Sequence, residues 1–299
     1  MKIRNNYLIM KFNWERVMEI KIGVTGWGDH DSLYPDRIHS SKKLRQYCTH
    51  FPIVEIDSSY YSIMPQSNFQ KWANQTTSDF LFIVKAYGGI TGHARQNYSK
   101  EEQIQLLKPF LESIHPLIEH DKLKGVLFQF PPWFNCKKEN VDFLRTLKNE
   151  LENIPSILEF RNQSWFLPQF YDQTLNFMED EGWIHSICDE PQAGTGSVPI
   201  VLHASNKELT IIRFHGRNVY GWNHNGQENW REVRYLYRYN EEELIEWVER
   251  LEVLSKQTKE ICILFNNNSG GDAADNAKQL MKLLGIEFGP SSTEQLELF

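Results

Sequence analysis

Cysteine is scarce in this chain and scattered where it occurs. Cys48, Cys136, Cys188 and Cys262 are the only four among 299 residues. With no close pair among them, they exclude a disulfide-stapled scaffold and the paired spacing of a zinc ribbon. HExxH and HxxH spacings are missing as well, so no helix-borne metal motif is present. Positive charge is in deficit: 32 Lys and Arg stand against 39 Asp and Glu, a formal charge of −7. A general nucleic-acid coat or a binder of acidic membranes needs a broad positive field instead. No apolar run approaches the ~18–20 residues of a membrane span. Tyr7–Met10 is too short for a signal-peptide core. The expectation is a cytoplasmic chain with no membrane partner.

Apolar and aromatic residues are plentiful: 40% of the chain is hydrophobic, with 9 Trp, 12 Tyr and 18 Phe. That is enough for a large core and rules out disorder. Residues 1–19 lack a clear period and read as an extension ahead of the folded part, with a natural start near Met18. Beyond them, eight β-rich runs alternate with amphipathic stretches, the signature of parallel βα units. The runs are Ile20–Gly26, Ile53–Ser58, Phe80–Ala86, Gly125–Phe130, Ile157–Arg161, Trp183–Cys188, Leu209–His215 and Ile261–Asn266. Helical patterns fill most gaps, from Ser40–His50 to Ala273–Leu284; the sixth gap carries the polar loop Gln192–Ser197 instead. Eight parallel strands favour a closed (β/α)8 TIM barrel, a single domain over residues 20–288, because an open sheet of that width leaves two edges to protect. A doubly wound open sheet is the alternative. Residues 289–299 read as a flexible tail.

The runs share a pattern that predicts where chemistry belongs. Side chains i and i+2 of a strand share a face. Val54 and Ile56 oppose Ile53, Glu55 and Asp57; Phe82 and Val84 oppose Leu81, Ile83 and Lys85; Leu158 and Phe160 oppose Ile157, Glu159 and Arg161; Ile212 and Phe214 oppose Ile211, Arg213 and His215. One face is wholly apolar and suits packing under helices. The other turns ionisable at its C-terminal end, where barrels of this kind hold their active sites. The expected pocket therefore gathers Glu55, Lys85, Gln129, Glu159, Arg161, Asp189, Arg213, His215, Asn266 and Asn267. Trp27, Tyr60, His93, Trp165 and Arg217 lie just beyond.

Lys85, Arg161, Arg213 and Arg217 match an anionic group such as carboxylate or phosphate. Glu55 or Glu159 is the expected base, His215 the acid, and Lys85 a tuning charge that, with Arg161 and Arg213, stabilises an anionic transition state. Two alternatives stay open: the charged groups pair with one another and brace the mouth, or Glu55, Glu159, Asp189 and His215 hold a divalent ion that activates water. Gly270-Gly271 is either a phosphate-binding turn or a plain turn with Asp272 as N-cap.

Several strings taken together resemble the domain of unknown function 72 family: Gly23-Val24-Thr25-Gly26-Trp27, Glu55-Ile56-Asp57-Ser58-Ser59-Tyr60-Tyr61, Thr91-Gly92-His93, Leu127-Phe128-Gln129-Phe130-Pro131-Pro132, Glu159-Phe160-Arg161, Arg213-Phe214-His215-Gly216-Arg217 and Phe265-Asn266-Asn267-Asn268. The resemblance covers roughly residues 20–285 and implies a TIM barrel, without supplying an activity. Gln295-Leu296-Glu297-Leu298-Phe299 separately resembles the pentapeptide by which bacterial replication and repair proteins bind the DNA sliding clamp. Its clamp contacts would be Gln295, Leu296, Leu298 and Phe299; folding of these residues back onto the barrel is the alternative. The functional expectation is a hydrolase acting on a phosphate-bearing substrate, nucleic acid or nucleotide, linked to replication or repair by that tail. A non-catalytic anion-binding scaffold and a sugar-phosphate isomerase or lyase are the competing readings.

Overall fold

The computed structural model describes residues 18–94, 96–223 and 233–289. Eight strands close in chain order: β1 (Glu19–Thr25), β2 (Ile53–Ile56), β3 (Leu81–Lys85), β4 (Leu123–Gln129), β5 (Ser156–Glu159), β6 (Ile184–Asp189), β7 (Leu209–Phe214) and β8 (Glu260–Phe265), with β8 returning to β1. Every neighbouring pair is parallel. The expected closed barrel is present as a single domain, and the doubly wound sheet is excluded.

Helices pack outside it: α1 (Ser40–Tyr47), α2 (Gln66–Gln75), α3 (Lys100–Gln105), α4 (Leu107–Glu119), α5 (Lys138–Glu150), α6 (Tyr171–Asp180), α7 (Val219–Asn223), α8 (Glu241–Ser255) and α9 (Ala273–Leu283). Local chemistry sets their starts. Ser99 and Glu102 form a capping box on α3, and Asn240 and Glu243 form one on α8, so orphan N–H groups of each first turn are satisfied. Helices α3 and α4 follow one another directly, with a break at Leu106. Pro109 has no N–H to return to the carbonyl of Gln105, so the helix restarts there. No helix forms between β6 and β7, as the polar loop foretold.

The strand alternation separates two apolar layers. Val54, Val84, Phe128, Leu158, Ile212 and Phe265 face outward into the core under the helices. Ile53, Ile83, Leu127, Ile157, Ile184, Leu209, Ile211, Cys262 and Leu264 form a separate cluster. These are the inward positions, and they fill the shaft of the barrel. Gly23 belongs to the same face, where a Cβ would stand 2.0 Å from the carbonyl oxygen of Ile53; only glycine lets β1 and β2 close at that point. Below the apolar plug, Glu260 holds Lys21 at 3.1 Å and also pairs with Lys124. Above it lies the ionisable mouth.

Candidate functional site

Register places the ionisable side chains in one layer. Thr25 lies beside Glu55, Glu55 beside Ile83, Gln129 beside Glu159, and Arg213 beside both Cys188 and Leu264. Neighbours in register share a face, so each of these polar groups stands directly above the plug. Glu55, Glu159, Arg161, Arg213 and His215 are all buried.

Arg213 is the hub. Its Nε and Nη2 donate to the two oxygens of Glu55 at 2.9 and 2.6 Å, and its Nη1 donates to the two oxygens of Glu159 at 3.0 and 2.8 Å. Arg161 donates from Nε to Glu159 at 2.7 Å and pairs through Nη1 with Glu190. Ser186 Oγ also donates to Glu159, at 3.1 Å. His215 Nε2 lies 2.8 Å from Arg161 Nη2, and Asn266 Nδ2 lies 3.0 Å from His215 Nδ1. Two bidentate-capable guanidiniums are thus satisfied by three carboxylates within the protein itself.

Protonation follows from this lattice. Burial alone would raise the Glu159 carboxyl, but Arg161, Arg213 and the His215 hydrogen bond hold it well below the usual range. Burial raises Glu55, against the pull of Arg213 and Lys85. Burial likewise lifts Glu190 to about 7, with Arg161 opposing. For His215, burial and then the two guanidiniums push the imidazole well below its ordinary value. The imidazole is thereby held toward its neutral form, which disfavours the expected role of His215 as the acid.

Lys85 differs from the arginines. The residue is half-buried, and its ammonium has no salt bridge to a carboxylate among the described residues and sits 4.7 Å from the ring centroid of Tyr60. Desolvation and the nearby Arg213 lower it to about 8, partly offset by Glu55 and Glu159. His93, hydrogen-bonded to Thr91 Oγ1 at 2.9 Å, is brought down to about 3 by burial and then by Lys85 and Arg161. Gln129 is half-buried on the face of Glu159, and Trp27 packs edge-on against Trp72 at the rim.

Four expected site residues point elsewhere. Asp189 pairs in register with Phe214, an outward residue, so its carboxylate leaves the barrel axis. There it accepts from Trp247 Nε1 and from Tyr239 OH at 3.1 Å, and binds Arg217 at 2.7 Å. Arg217 continues to Glu243 at 3.1 Å. Asp189 and Arg217 accordingly anchor α8, and the inward residues of β6 are Ser186 and Cys188. Asn267 is buried against Asn276 and the carbonyl of Tyr237, at 2.9 and 2.8 Å. Trp165 is buried, stacks on Phe160 at 4.0 Å and donates to the Phe134 carbonyl at 2.8 Å. Gln295, Leu296, Leu298 and Phe299 lie outside the described residues, as do residues 1–17.

Glu190, Ser186 and Cys188 join the site without having been expected. Strand parity was the signal for the last two: continuing Ile184 by twos reaches both. Glu159, Cys188 and His215 offer donor atoms within 4.8 Å of one another, in place of the expected metal set with Asp189. The donors suit a cation poorly. Two guanidiniums already crowd Glu159 and His215, and burial first, then Glu159, raises the Cys188 thiol well above its ordinary value. The Gly270-Gly271 turn is closed by Gly271 N–H donating to Asn268, with Asp272 held by Arg238 at 2.7 Å. A broad, open depression of about 1050 Å³ lies at the opposite end of the barrel near Lys124, Lys148, Lys259 and Glu260. Lys124 and Glu260 there are paired with each other and Lys259 is taken by Glu208, so the mouth is the better candidate.

The molecule is thus an α/β barrel whose C-terminal mouth carries a self-paired guanidinium–carboxylate lattice and one lysine outside it. Residues 21–297 match the family described as "Protein of unknown function DUF72", and the chain belongs to that family. It is 56% identical over 281 residues to the UPF0759 protein YunF of Bacillus subtilis (strain 168), covering 94% of this chain and 100% of that one. It is also similar to the crystal structure of a DUF72 family protein from Enterococcus faecalis V583, with TM-score 0.82 and 38% identity over 92% of this chain and 100% of that one. A DUF72 family protein from Thermotoga maritima MSB8 gives TM-score 0.76 and 32% identity over 89% and 99%. Among the described residues no helix is long and apolar enough to cross a membrane.

Proposed function

We propose that the protein is an enzyme acting on a small phosphate-bearing substrate at the barrel mouth. Lys85 would meet the anion and exchange the proton, with hydrolysis of a phosphate ester as the first reaction to test. The observation that carries this reading is the position of the Lys85 ammonium: on the inward face, without a carboxylate salt bridge among the described residues, and lowered to about 8. Near neutral pH such a group is largely charged and attracts phosphate, yet gives up its proton easily to a leaving oxygen. Arg161 and Arg213 are committed to carboxylates and shape the field around Lys85 rather than grip a ligand. The raised Glu55 carboxyl, coupled to Lys85 through that field, is the second group displaced toward neutrality.

The test is turnover of a panel of phosphomonoesters, phosphodiesters and nucleotides from pH 6 to 10, with and without Mg²⁺ or Mn²⁺. Activity should fall above about pH 8, and Lys85→Met should lose roughly 100-fold or more. Equal turnover by Lys85→Met defeats the proposal. The self-paired lattice favours one second reading, a non-catalytic anion binder, since it needs no ligand for its own stability. That reading predicts thermal stabilisation by a phosphate ester with no product formed.

A further inference from the structure

Five of the six large apolar side chains standing exposed among the described residues, Tyr61, Trp133, Val219, Tyr220 and Leu236, lie on segments that follow the C-terminal ends of strands. Exposed aromatics gathered at one end of a barrel mark a contact surface rather than incomplete burial. Two of them end a continuous arc of rings. Tyr61 meets Tyr60 at 5.2 Å, Tyr60 meets His93 at 5.3 Å, and His93 meets Trp133 at 5.8 Å, each pair edge-on. Lys85 sits over Tyr60, inside the arc. The His93 imidazole is held neutral, so the arc presents uncharged π surface beside a cation.

Behind Trp133 is a hollow of about 210 Å³, lined also by Thr91, Lys100, Gln103, Asn135 and Asn140. Gln103 is 7% exposed. Its Nε2 donates to the Tyr98 carbonyl at 3.1 Å, which fixes the orientation of the carboxamide, and its Oε1 is buried with no partner among the described residues. A buried acceptor left unpaired is costly, and the residue that carries it lines a hollow with an aromatic wall. Lys100 in the same wall is directed over Phe143 and Phe134 and onto Asn140 at 3.3 Å.

We infer that this hollow and the face of Trp133 form the base-binding half of the site, so that the substrate is a nucleotide. Its base stacks on Trp133 and gives an N–H to Gln103 Oε1, while its phosphate reaches Lys85. The inference rests on the proposed phosphate-directed reading and narrows the substrate class. Trp133 supplies a sequence-tolerant stacking surface, and Gln103 accepts from an exocyclic amine such as that of adenine.

The test compares binding of AMP, ribose 5-phosphate and adenosine by calorimetry to the full chain and to its Trp133→Ala and Gln103→Leu variants. AMP should bind at least tenfold more tightly than ribose 5-phosphate. Trp133→Ala should remove most of that margin while leaving ribose 5-phosphate unchanged, Trp133→Phe should restore part of it, and Gln103→Leu should reduce it. Equal affinity for AMP and ribose 5-phosphate, insensitive to Trp133, overturns the base site and leaves the phosphate reading standing. Adenosine binding that depends on Trp133, with the phosphate adding nothing, supports the base site and overturns the phosphate reading. Failure of all three ligands to bind overturns both.

Discussion

Arg213→Met is the sharpest probe of the mouth because a single guanidinium closes contacts to two buried carboxylates. Glu159 keeps Arg161 in the variant, at 2.6 Å. Glu55, fully buried, is left with only the more distant field of Lys85. Removing one partner of a buried ion pair costs about 3–5 kcal/mol, whereas replacing both by apolar groups is often neutral. For a barrel of this size that corresponds to roughly 5–10 °C in melting temperature. Glu55→Leu/Arg213→Met should therefore melt above Arg213→Met alone.

The pH dependence of the single variant has a definite sign. Burial already raises Glu55 in the native protein, and loss of Arg213 raises it further. Between the unfolded value of about 4.3 and the folded value, the native state binds more protons than the unfolded one, so stability falls as pH rises through that window. The penalty of Arg213→Met should be smaller at pH 5 than at pH 8. Urea unfolding of wild type, both single variants and the double variant at the two pH values measures all of this. An Arg213→Met protein as stable as wild type, or a double variant no more stable than Arg213→Met, would refute the idea that this guanidinium neutralises Glu55.

Lys85 should titrate near pH 8, which NMR of reductively ¹³C-methylated protein reads, with Lys85→Arg to assign the signal; a midpoint above 10 contradicts the site electrostatics. Because its folded value lies below the unfolded ~10.4, the unfolded state binds more protons between those values, and the strain of burying it is relieved as pH rises from 8 to 10. Asp189→Ala leaves the buried Trp247 indole N–H without its acceptor and the Tyr239 hydroxyl with only the residue-189 carbonyl at 3.5 Å, and should cost about 1–3 kcal/mol in urea unfolding, with the Lys85 midpoint unmoved. A shifted Lys85 midpoint would return Asp189 to the mouth. If the tail resemblance holds, the full chain should be retained by an immobilised bacterial sliding clamp and a chain lacking residues 295–299 should not; no retention of the full chain, or equal retention of the truncated one, would discard the tail motif.

Much of the architecture was readable from residue order because a barrel strand writes two environments into alternate positions. Ile53 and Glu55, Ile83 and Lys85, Ile157 and Glu159, and Ile211 and Arg213 each record a plug residue followed by a mouth residue. The sixth strand failed this reading: Ile184, His185, Ser186, Ile187, Cys188 and Asp189 are all buried, so polarity does not mark a face, and the charged residue attracted the assignment. Asn267 and Trp165 were misplaced for a related reason. Both follow strands, where the period of two ends and the loop path decides direction. The pairing of Arg213 with Glu55, 158 residues apart, has no local signature at all. That pairing matches the alternative in which the charged groups brace one another, with one lysine left over.

The filled shaft has a kinetic corollary. With Ile53, Ile83, Leu127, Ile157, Ile211 and Leu264 packed across the interior, neither water nor a small molecule can cross from one end of the barrel to the other. Under the proposed reaction, reactant, product and transferred proton would all share a single doorway. A departing product would then obstruct the next arrival, and inhibition by it should be competitive.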